Sequence, residues 1–428
     1  MRIVHVSDTF APLMGGIEAQ VARLAARQAA AGHQVEVITT TPAAPGDHGV
    51  STAVERLGAP GTGTGTGGSG TRSAAPAVTV HRVAARVPGR WPIHPRSTAH
   101  VVRRLRMLTA QGARPDVVHL HMGVLAPTVQ AALRPVTRLG LPTVLTVHSV
   151  WGHAWRAFAA ADVATGWSRW PVLWSAVSDL TAAPLRRIVG PRGEVAVLPN
   201  GLDLARWQAG RRPRDTPLGD TRTAELQVVS AARFAPRKRM LPLLAAVARA
   251  HAELSSGRPR VRTSDGPGTP ADGGARLRVT LAGDGAELPR ARRFVVEHGL
   301  SGVVSLPGAL DADRLRALHA GADVFVAPAV AEAFGIAALE AQATGLPVLT
   351  RAGSGVAERV TDGIDGLVVP DDAALTRALV RLATDGDLLA GLLERSGDAG
   401  RLAAYDWPGV LVEAEKVYAR AAELIGGR

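Results

Sequence analysis

The sequence predicts an α/β protein built from two doubly wound, Rossmann-like domains in series. The chain has 428 residues, which is too long for one ordinary core and suits two domains of about 200 residues each. Short apolar runs alternate with amphipathic helical patterns in both halves, as in a parallel sheet that is covered by helices. A polar stretch with prolines at 203–223 separates the halves.

Both halves show the same alternation of strands and helices. In the first half, strands are expected at 3–6, 35–39, 78–82, 117–120, 143–147, 174–177 and 195–198, and helices at 17–31, 98–111 and 125–138. In the second half, strands are expected at 226–231, 277–282, 303–306, 324–327, 347–350 and 366–369, and helices at 240–254, 288–298, 313–320, 335–344 and 373–384. Ligands of such sheets bind at the carboxyl ends of the strands, so we expect the site in the cleft between the domains.

Two segments are expected to be flexible insertions without chemistry. Residues 43–76 include a run from Gly58 to Gly70 in which glycine alternates largely with threonine, a composition that cannot order itself. Residues 255–275 are rich in glycine, proline and arginine. We expect both to be surface loops.

Composition restricts the classes of function. The chain contains no cysteine, which excludes disulfides and cysteine metal sites. It opens with a strand pattern rather than a signal peptide, and no apolar run approaches 18 residues, so a cytoplasmic location is expected. The formal net charge of +12 indicates anionic partners. No DNA- or RNA-binding pattern accompanies this charge, so we expect no nucleic acid partner.

The most informative segment runs from Glu332 to Glu340, with the sequence Glu-Ala-Phe-Gly-Ile-Ala-Ala-Leu-Glu. Gly335 is predicted to stand where a loop becomes a helix, so that the free N–H groups and the positive end of the helix dipole suit a diphosphate. Glu332 could accept hydrogen bonds from sugar hydroxyls, and Glu340 could reach a ribose. On spacing alone, an ordinary helix start with two acidic residues explains the segment equally well.

Several further motifs occur in a fixed order along the chain. They are Met14-Gly15-Gly16, Val118-His119-Leu120-His121, and the segments at 198–203, 232–238, 282–285, 345–348 and 353–358. Together with the segment from Glu332 to Glu340, this set resembles glycosyltransferase family 4, whose members are retaining enzymes with the GT-B fold and an E-x7-E signature. The resemblance covers nearly the whole chain. It departs from the family pattern at Ala232 and Arg239, where the family has glycine.

The resemblance implies a site for a nucleoside diphosphate sugar. Donor-binding positions would be Gly15, Gly16, Arg233, Lys238, Leu310, Phe334, Gly335, Ile336 and Glu340, with Glu332 and His121 in the catalytic site and His148 on the acceptor side. The residue that acts as catalytic base is not implied, because in the proposed front-face attack a leaving phosphate oxygen takes the acceptor's proton.

The two cations fit the chemistry that the resemblance implies. Negative charge gathers on the diphosphate as the glycosidic bond breaks, and fixed cations stabilise that charge. Arg233 offers a planar fork and Lys238 a compact charge. Lys238 and Lys416 are the only lysines in the chain, which favours a specific role for a point charge at 238. From this segment alone, two solvated loop cations remain the alternative.

The resemblance also implies a division of labour between the domains. Residues 1–205 would form the acceptor-side domain and residues 206–405 the donor-binding domain, and a helix within 406–428 would cross back to the first domain. The implied reaction moves a sugar, with retention, from a UDP- or GDP-linked donor to a hydroxyl group of a lipid-linked, polysaccharide or small-molecule acceptor. A GT-B epimerase or phosphorylase, or an inactive partner that binds nucleotide sugars, remains the alternative.

A dinucleotide-binding enzyme is disfavoured. Gly283-Asp284-Gly285 supplies the first two glycines of a dinucleotide fingerprint, but Leu288 occupies the position of the third. The second predicted strand ends in three threonines at 39–41 and lacks the acidic residue that would bind an adenosine ribose.

A basic amphipathic helix suggests peripheral contact with an anionic membrane. Arg96, Arg103, Arg104 and Arg106 surround the apolar residues Val101, Val102, Leu105 and Leu108, as in helices that lie in a membrane interface. A solvated helix face is the alternative interpretation of the same pattern.

Catalysis is expected to need no divalent metal and no other cofactor. The sequence places no Asp-x-Asp pair at a strand end, while Arg233, Lys238 and the helix dipole already supply positive charge at the diphosphate. Sugar transfer should therefore continue unchanged after treatment with EDTA. Loss of transfer in EDTA that magnesium restores would contradict this expectation.

Overall fold

The computed structural model describes residues 1–13, 15–44, 47–57, 77–84, 94–209, 225–256 and 276–426. The chain divides into two compact units. Unit 1 comprises Met1–Gly201 together with Ala404–Arg428, and unit 2 comprises Leu202–Ala403. The C-terminal helix therefore belongs to the same unit as the N-terminal sheet.

Unit 1 is built around a twisted sheet. Its described strands are β1 (Arg2–Ser7), β2 (Gln34–Thr39), β3 (Gly49–Arg56), β4 (Ala77–Ala84), β5 (Val117–Met122), β6 (Thr143–Val147), β7 (Leu173–Ala176) and β8 (Val195–Val197). They lie in the order β3-β4-β2-β1-β5-β6-β7-β8. Every described neighbour pair is parallel except β3 with β4. The register sets Ser7 opposite His121, and His121 opposite Thr146.

Helices flank this sheet, and most of them bury apolar residues in the core of unit 1. They are α1 (Gly16–Ala30), α2 (Ser97–Ala110), α3 (Pro127–Thr137), α4 (Trp155–Thr165), α5 (Asp179–Val189) and, at the end of the chain, α14 (Trp407–Gly426). Asp8 fixes the start of α3, since its carboxylate accepts hydrogen bonds from the backbone N–H groups of Thr128 and Val129. The helix α14 buries Trp407, Val417 and Tyr418 in unit 1.

Strand β3 corrects the prediction that residues 43–76 form a flexible insertion. Almost all residues of β3 are exposed. A strand with no buried face does not need alternating apolar residues, so its sequence lacks the pattern that indicates a strand. Polar contacts across the pair support β3 instead: Thr52 bonds to His81 at 2.9 Å, and Glu55 forms a bidentate pair with Arg82. Residues 45–46 and 58–76 of that predicted insertion, and all but the first two residues of the one at 255–275, lie outside the described residues.

Unit 2 is a second doubly wound sheet, and all its described neighbour pairs are parallel. Its strands are β9 (Glu225–Ala231), β10 (Arg276–Ala282), β11 (Val304–Gly308), β12 (Val324–Ala327), β13 (Val348–Arg351) and β14 (Gly366–Val369), in the order β11-β10-β9-β12-β13-β14. Its helices are α6 (Leu204–Gln208), α7 (Met240–Ser256), α8 (Leu288–Glu297), α9 (Ala312–Ala320), α10 (Ile336–Ala343), α11 (Asp372–Thr384), α12 (Gly386–Arg395) and α13 (Ala399–Leu402).

The strand order reverses once in each sheet. In unit 1 the reversal lies between β1 and β5, and in unit 2 it lies between β9 and β12. At such a switch point the loops diverge to opposite faces of the sheet and leave a crevice at the carboxyl ends of the strands. His121 lies near the end of β5, and Lys238 and Glu332 lie in the loops after β9 and β12.

Helix α2 does not offer the apolar face that the sequence suggested for a membrane. Val101, Leu105 and Leu108 are buried in the core of unit 1, and Arg104 forms a bidentate pair with Glu36. The three other arginines, at 96, 103 and 106, are exposed, so electrostatic contact with an anionic surface stays a prediction. Among the described residues, no helix is long and apolar enough to cross a bilayer.

One buried histidine of unit 2 lacks hydrogen-bond partners. His319 is 1% exposed, lies near the rings of Trp207 and Phe325, and has no partner at either ring nitrogen. Burial lowers the pKa of His319 from its usual value of 6.5 to about 4. As the pH falls below 6.5, the unfolded chain therefore binds the proton first, and stability is lost down to about pH 4.

Replacing this imidazole by an apolar side chain should stabilise the protein. We expect His319→Leu to raise the free energy of unfolding by about 1 kcal/mol at pH 7.5, because an unpartnered buried polar group is removed. At pH 5.5 the gain in the free energy of unfolding should be larger by about 1.4 kcal/mol. The unmodified protein is destabilised there because residue 319 binds a proton only in the unfolded chain, and leucine cannot bind one. Denaturant unfolding at the two pH values measures both changes. Exposed His298, replaced by leucine, is the control, and an advantage for His319→Leu that does not depend on pH would contradict the assignment.

Candidate functional site

The loop after β9 in unit 2 is held by close contact with the turn after β10. Phe234 is completely buried, its N–H donates to the carbonyl of Asp284 at 2.8 Å, and its carbonyl accepts from the N–H of Glu287. Gly285 has φ +148°, and a Cβ there would lie 2.4 Å from the Phe234 carbonyl oxygen. The glycine is therefore required by this backbone contact, which fixes the path of the chain through Arg233 to Lys238.

Lys238 and Glu332 meet at the switch point of unit 2. Lys238 ends a short 3-10 turn at Pro236–Lys238, and Glu332 lies in the loop between β12 and α10. The Lys238 ammonium donates a hydrogen bond to Glu332 Oε2, and the two side chains are 20% and 17% exposed. The structure thus brings together two residues that the sequence had assigned separately to a diphosphate and to a sugar.

Helix α10 starts as the sequence predicted, directly after Gly335. Gly335 has φ +77°, and a Cβ at this position would lie 2.3 Å from Val356 Cγ2, so no other residue fits without movement. The Glu332 carbonyl accepts a hydrogen bond from the N–H of Gly355 at 2.8 Å. These contacts hold Glu332 just ahead of a helix N-terminus, where backbone N–H groups favour an anion.

Arg359 holds the loop from Glu332 to Gly335, which we call the signature loop. The sequence analysis missed this arginine. Its buried guanidinium donates to the carbonyls of Phe334 at 2.7 Å, Gly335 at 3.1 Å and Gly355 at 3.3 Å. It also lies 4.5 Å from the centroid of the Phe334 ring. Only its position directly after Glu358 could have drawn attention to it, and that position does not predict which carbonyls it would reach.

The backbone conformation of Arg239 explains why the family has glycine at this position. Its backbone is left-handed, with φ 59° and ψ 33°, a conformation that costs a non-glycine residue roughly 1–2 kcal/mol. The Arg239 guanidinium pairs with Asp372, which also pairs with Arg351. These contacts hold the arginine in its strained conformation at the start of α7.

The other predicted donor-binding residues of unit 2 take positions around the same strand ends. Arg233 follows β9 and is exposed, and Leu310 follows β11 and is half-buried. Phe334 is buried, whereas Ile336 and Glu340 on α10 are half-buried. Their contacts with a donor stay a prediction.

In unit 1, the predicted glycine loop leads into α1. Gly15 precedes the helix in an extended conformation, and exposed Gly16 is its first residue. A Cβ at Gly16 would meet no heavy atom within 4 Å. Contact of this first turn of α1 with an anionic group stays a prediction. Met14 lies outside the described residues.

Four histidines of unit 1 form a connected group, which we call the histidine chain: His5, His119, His121 and His148. His5 Nδ1 lies 2.9 Å from His121 Nε2, and His121 Nδ1 lies 3.0 Å from His148 Nε2. Burial lowers the pKa of His5 and of His148 to about 4. Burial, with nearby histidines as a smaller cause, lowers the pKa of His119 and His121 well below its usual value. All four rings are therefore neutral at pH 7.

His121 occupies the predicted strand end but has no free ring nitrogen. It is 2% exposed, and its two nitrogens bond to His5 and His148. His148 is less buried, and its Nδ1 has no protein partner among the described residues. Contact of a substrate with His148, rather than with His121, therefore stays a prediction.

Both histidines line a small cavity of unit 1. Its other walls include Gln20, Asn200 and Trp407, and its volume of about 20 Å³ is enough for one water. Gln20 exchanges two hydrogen bonds with the backbone of Gly201. This contact fixes the loop at 198–201 beside the histidines.

Among the described residues, one group of side chains is close enough to share a metal ion. Ligand atoms of His5, His119 and His121 lie within 4.8 Å of one another. Both ring nitrogens of each of these histidines already have hydrogen-bond partners. A metal ion would have to replace these bonds, so the donor set does not fit one.

Comparison with known proteins identifies the family. A model described as "Glycosyltransferase Family 4" matches residues 14–206, and one described as "Glycosyl transferases group 1" matches residues 225–385. The GDP-mannose-dependent alpha-(1-6)-phosphatidylinositol monomannoside mannosyltransferase of Mycobacterium tuberculosis is 30% identical over 323 residues, which cover 70% of this chain and 73% of the relative. The chain belongs to glycosyltransferase family 4.

Other relatives and solved structures agree with this assignment. The glycogen synthase of M. tuberculosis is 29% identical over 440 residues, which cover 98% of this chain and 95% of the relative. Sucrose-phosphate synthase of Thermosynechococcus elongatus superposes with a TM-score of 0.63 at 21% identity, over 98% of both chains. HepE of Anabaena, solved with UDP-glucose, gives a TM-score of 0.63 at 17% identity, over 99% of this chain and 100% of HepE. The two structural likenesses confirm the predicted GT-B fold, and the family matches make the protein a glycosyltransferase.

The contacts of Lys238 allow a direct test of its role in this glycosyltransferase. Lys238→Ala should slow transfer about ten- to 150-fold, because a lost hydrogen bond to a charged group costs roughly 1.5–3 kcal/mol. Lys238→Arg should recover only part of the rate, because a planar fork cannot place its charge where the ammonium lay. Steady-state transfer rates measure both variants.

Lys416→Ala is the matched control. Lys416 is 64% exposed on α14 and pairs with Glu413 on the same helix at 3.2 Å, so its loss should leave the transfer rate unchanged. Equal rates for Lys238→Ala, Lys416→Ala and the unmodified protein would show that Lys238 does not bind the diphosphate.

Proposed function

We propose that this glycosyltransferase moves a sugar from a nucleoside diphosphate sugar to a hydroxyl group of an acceptor, with retention of the anomeric configuration. The proposal rests above all on the ion pair between Lys238 and Glu332 ahead of helix α10. A cation, a carboxylate and free backbone N–H groups at one switch point match the three parts of such a donor: the diphosphate, the sugar hydroxyls and the negative charge that develops on the leaving group.

The ion pair prepares both residues for the donor. Without a ligand, Lys238 and Glu332 neutralise each other and keep each other in place. When the diphosphate arrives, Lys238 turns its hydrogen bonds to the phosphate oxygens, and Glu332 becomes free to accept hydrogen bonds from the sugar. The two side chains are only 20% and 17% exposed, so neither charge can be left without a partner. Charged bonds to the phosphate and to the sugar replace the ion pair when the donor binds.

Arg359 acts as a positioning residue for this exchange. By bonding to the carbonyls of Phe334 and Gly335, it leaves their neighbouring N–H groups facing away from it, and it fixes the start of α10. Its buried positive charge also adds to the potential that attracts a diphosphate.

The neutral histidines argue against a histidine base in this reaction. A general base works best with a pKa near the working pH, whereas burial lowers the pKa of His148 to about 4. We therefore propose that a leaving phosphate oxygen takes the proton of the acceptor, and that His148 only orients a hydroxyl group. We also propose that no metal takes part.

The donor is proposed to be UDP- or GDP-linked, and the sugar a hexose. One relative is named as GDP-mannose-dependent, and the HepE structure contains UDP-glucose. The acceptor is proposed to be a lipid-linked, polysaccharide or small-molecule hydroxyl compound. The basic surface, with a formal net charge of +12, favours a negatively charged acceptor.

Ligand binding followed by product analysis tests this proposal. Thermal unfolding with UDP, GDP and ADP should show stabilisation by UDP or GDP, by about 2.7 kcal/mol at 100 times the dissociation constant. With the matching hexose donor and a panel of hydroxyl acceptors, proton NMR of the product should show the anomeric configuration of the donor.

The possible results separate the alternatives. An inverted product would overturn retention, and stabilisation by ADP alone would overturn the choice of nucleotide. Binding of a donor without transfer or hydrolysis would identify an inactive binding partner. Conversion of the donor to another nucleotide sugar would identify an epimerase, and a sugar 1-phosphate formed from a glycoside and inorganic phosphate would identify a phosphorylase.

A further inference from the structure

The histidine chain belongs to a longer network of buried hydrogen bonds in unit 1. Four other side chains complete it: Gln28, Thr146, Ser175 and Tyr418, all of which are buried. The network runs without a break from the backbone of β6 to the edge of the cavity. Because each bond needs one donor and one acceptor, the proton position at one end constrains every bond along it.

The network begins at an atom that can only accept. Ser175 Oγ lies 3.3 Å from the carbonyl oxygen of Leu145, so this bond requires the Ser175 hydroxyl to donate. Thr146 Oγ1 lies 2.5 Å from Ser175 Oγ. Since the serine proton is already used, the Thr146 hydroxyl must donate to Ser175 and must itself accept from the next group.

The next three groups continue the same donor-to-acceptor direction of the hydrogen bonds. His119 Nε2 lies 2.7 Å from Thr146 Oγ1 and therefore carries the proton, which leaves His119 Nδ1 bare. Tyr418 Oη lies 2.9 Å from His119 Nδ1 and must donate to it. The tyrosine oxygen can then accept from Gln28 Nε2, which lies 2.9 Å away. This choice also fixes the orientation of the Gln28 amide.

The hydrogen bonds from Gln28 to the remaining histidines keep the same donor-to-acceptor direction. Gln28 Oε1 accepts from His5 Nε2 at 2.7 Å, so His5 Nδ1 is bare and accepts from His121 Nε2. His121 Nδ1 is then bare in turn and accepts from His148 Nε2. His148 Nδ1, at the end of the network, is left with a free lone pair.

We propose that the Leu145 carbonyl sets the direction of this whole network through Ser175, so that all four histidines carry their proton on Nε2 and His148 presents Nδ1 as a hydrogen-bond acceptor. The opposite direction would put every histidine proton on Nδ1 and would make His148 a donor. It keeps the other bonds but loses the one from Ser175 to Leu145, because the serine proton would then point to Thr146.

The consequence for transfer rests on the function proposed above. Because His148 lines the cavity, an acceptor nitrogen there selects a hydroxyl group that donates, and it orients the oxygen lone pairs of that hydroxyl away from the ring. Ser175, Gln28 and Tyr418 thus act as positioning residues, and Tyr418 gives the C-terminal helix a part in this site.

Nitrogen NMR of the unliganded protein measures the proposed direction without reference to activity. In a deuterated sample labelled with 15N at histidine, long-range proton–nitrogen spectra distinguish a protonated ring nitrogen from a bare one. Single substitutions assign the four rings among the 13 histidines of the chain. We expect a bare Nδ1 and a protonated Nε2 in all four. A protonated Nδ1 at His148 would overturn the proposal.

The variant Ser175→Ala tests the anchor. It removes the acceptor of the Thr146 hydroxyl, which can regain one only by donating to His119 Nε2. That change moves the proton of His119 to Nδ1 and reverses each later bond, so all four histidines should switch to the Nδ1–H form. Ser230→Ala is the control, since Ser230 is equally buried in β9 of unit 2 and should leave the four spectra unchanged.

Activity and a second variant complete the test. In Ser175→Ala, His148 would face the substrate hydroxyl as a donor. The kcat/KM for transfer should therefore fall roughly two- to tenfold, which corresponds to the free energy of one hydrogen bond, while binding of the nucleoside diphosphate alone stays unchanged.

Tyr418→Phe cuts the network in two. It should give His5, His121 and His148 mixed proton positions, while His119 keeps its Nε2 proton. Unaltered proton positions in both variants would refute the anchor, whereas the expected spectra without any transfer activity would contradict only the proposed function.

Discussion

The position of the candidate site depends on one constraint, the reversal of strand order in each parallel sheet. Parallel strands deliver their carboxyl ends to one edge, and the reversal sends consecutive loops to opposite faces of the sheet. In unit 2 this places the loop after β9 beside the loop after β12, so that Lys238 meets Glu332 across 94 positions of sequence. In unit 1 the same geometry places His5 and His121 on the neighbouring strands β1 and β5, and His148 directly after the next strand, β6.

Close backbone contacts then hold these loops in place. Gly285 lies against the carbonyl of Phe234, and Gly335 lies against Val356, at distances that leave no space for a side chain. Arg359 adds hydrogen bonds to the carbonyls of the signature loop. The loops that carry the charged residues are therefore as well defined as the core elements, which keeps the charges in position before a ligand binds and reduces the cost of ordering them.

The candidate sites of the two units use different means to hold polar groups. The site of unit 2 pairs charges, as between Lys238 and Glu332 and between Arg351 and Asp372. The site of unit 1 keeps the histidine chain neutral and connects it by hydrogen bonds, since burial disfavours the imidazolium form. A charged pair can exchange partners with an anionic ligand, whereas a neutral network with a fixed proton order can present one defined acceptor or donor.

The amino-acid sequence by itself determined the α/β class, the order of most strands along the chain and the family signature from Glu332 to Glu340, because apolar periodicity and local motifs are short-range properties. It did not predict β3, whose residues lack apolar alternation and which pairs through polar contacts with β4. It also left open a membrane-facing role for the apolar residues of α2, although Val101, Leu105 and Leu108 are core residues, because the same helix pattern suits a protein core and a membrane interface. Only the tertiary structure decided that Lys238 pairs with Glu332, that Arg359 holds the signature loop, and that His121 uses both ring nitrogens within the protein. These contacts join residues that are distant in the chain, and their partners depend on sheet order and burial, which no local pattern in the sequence records.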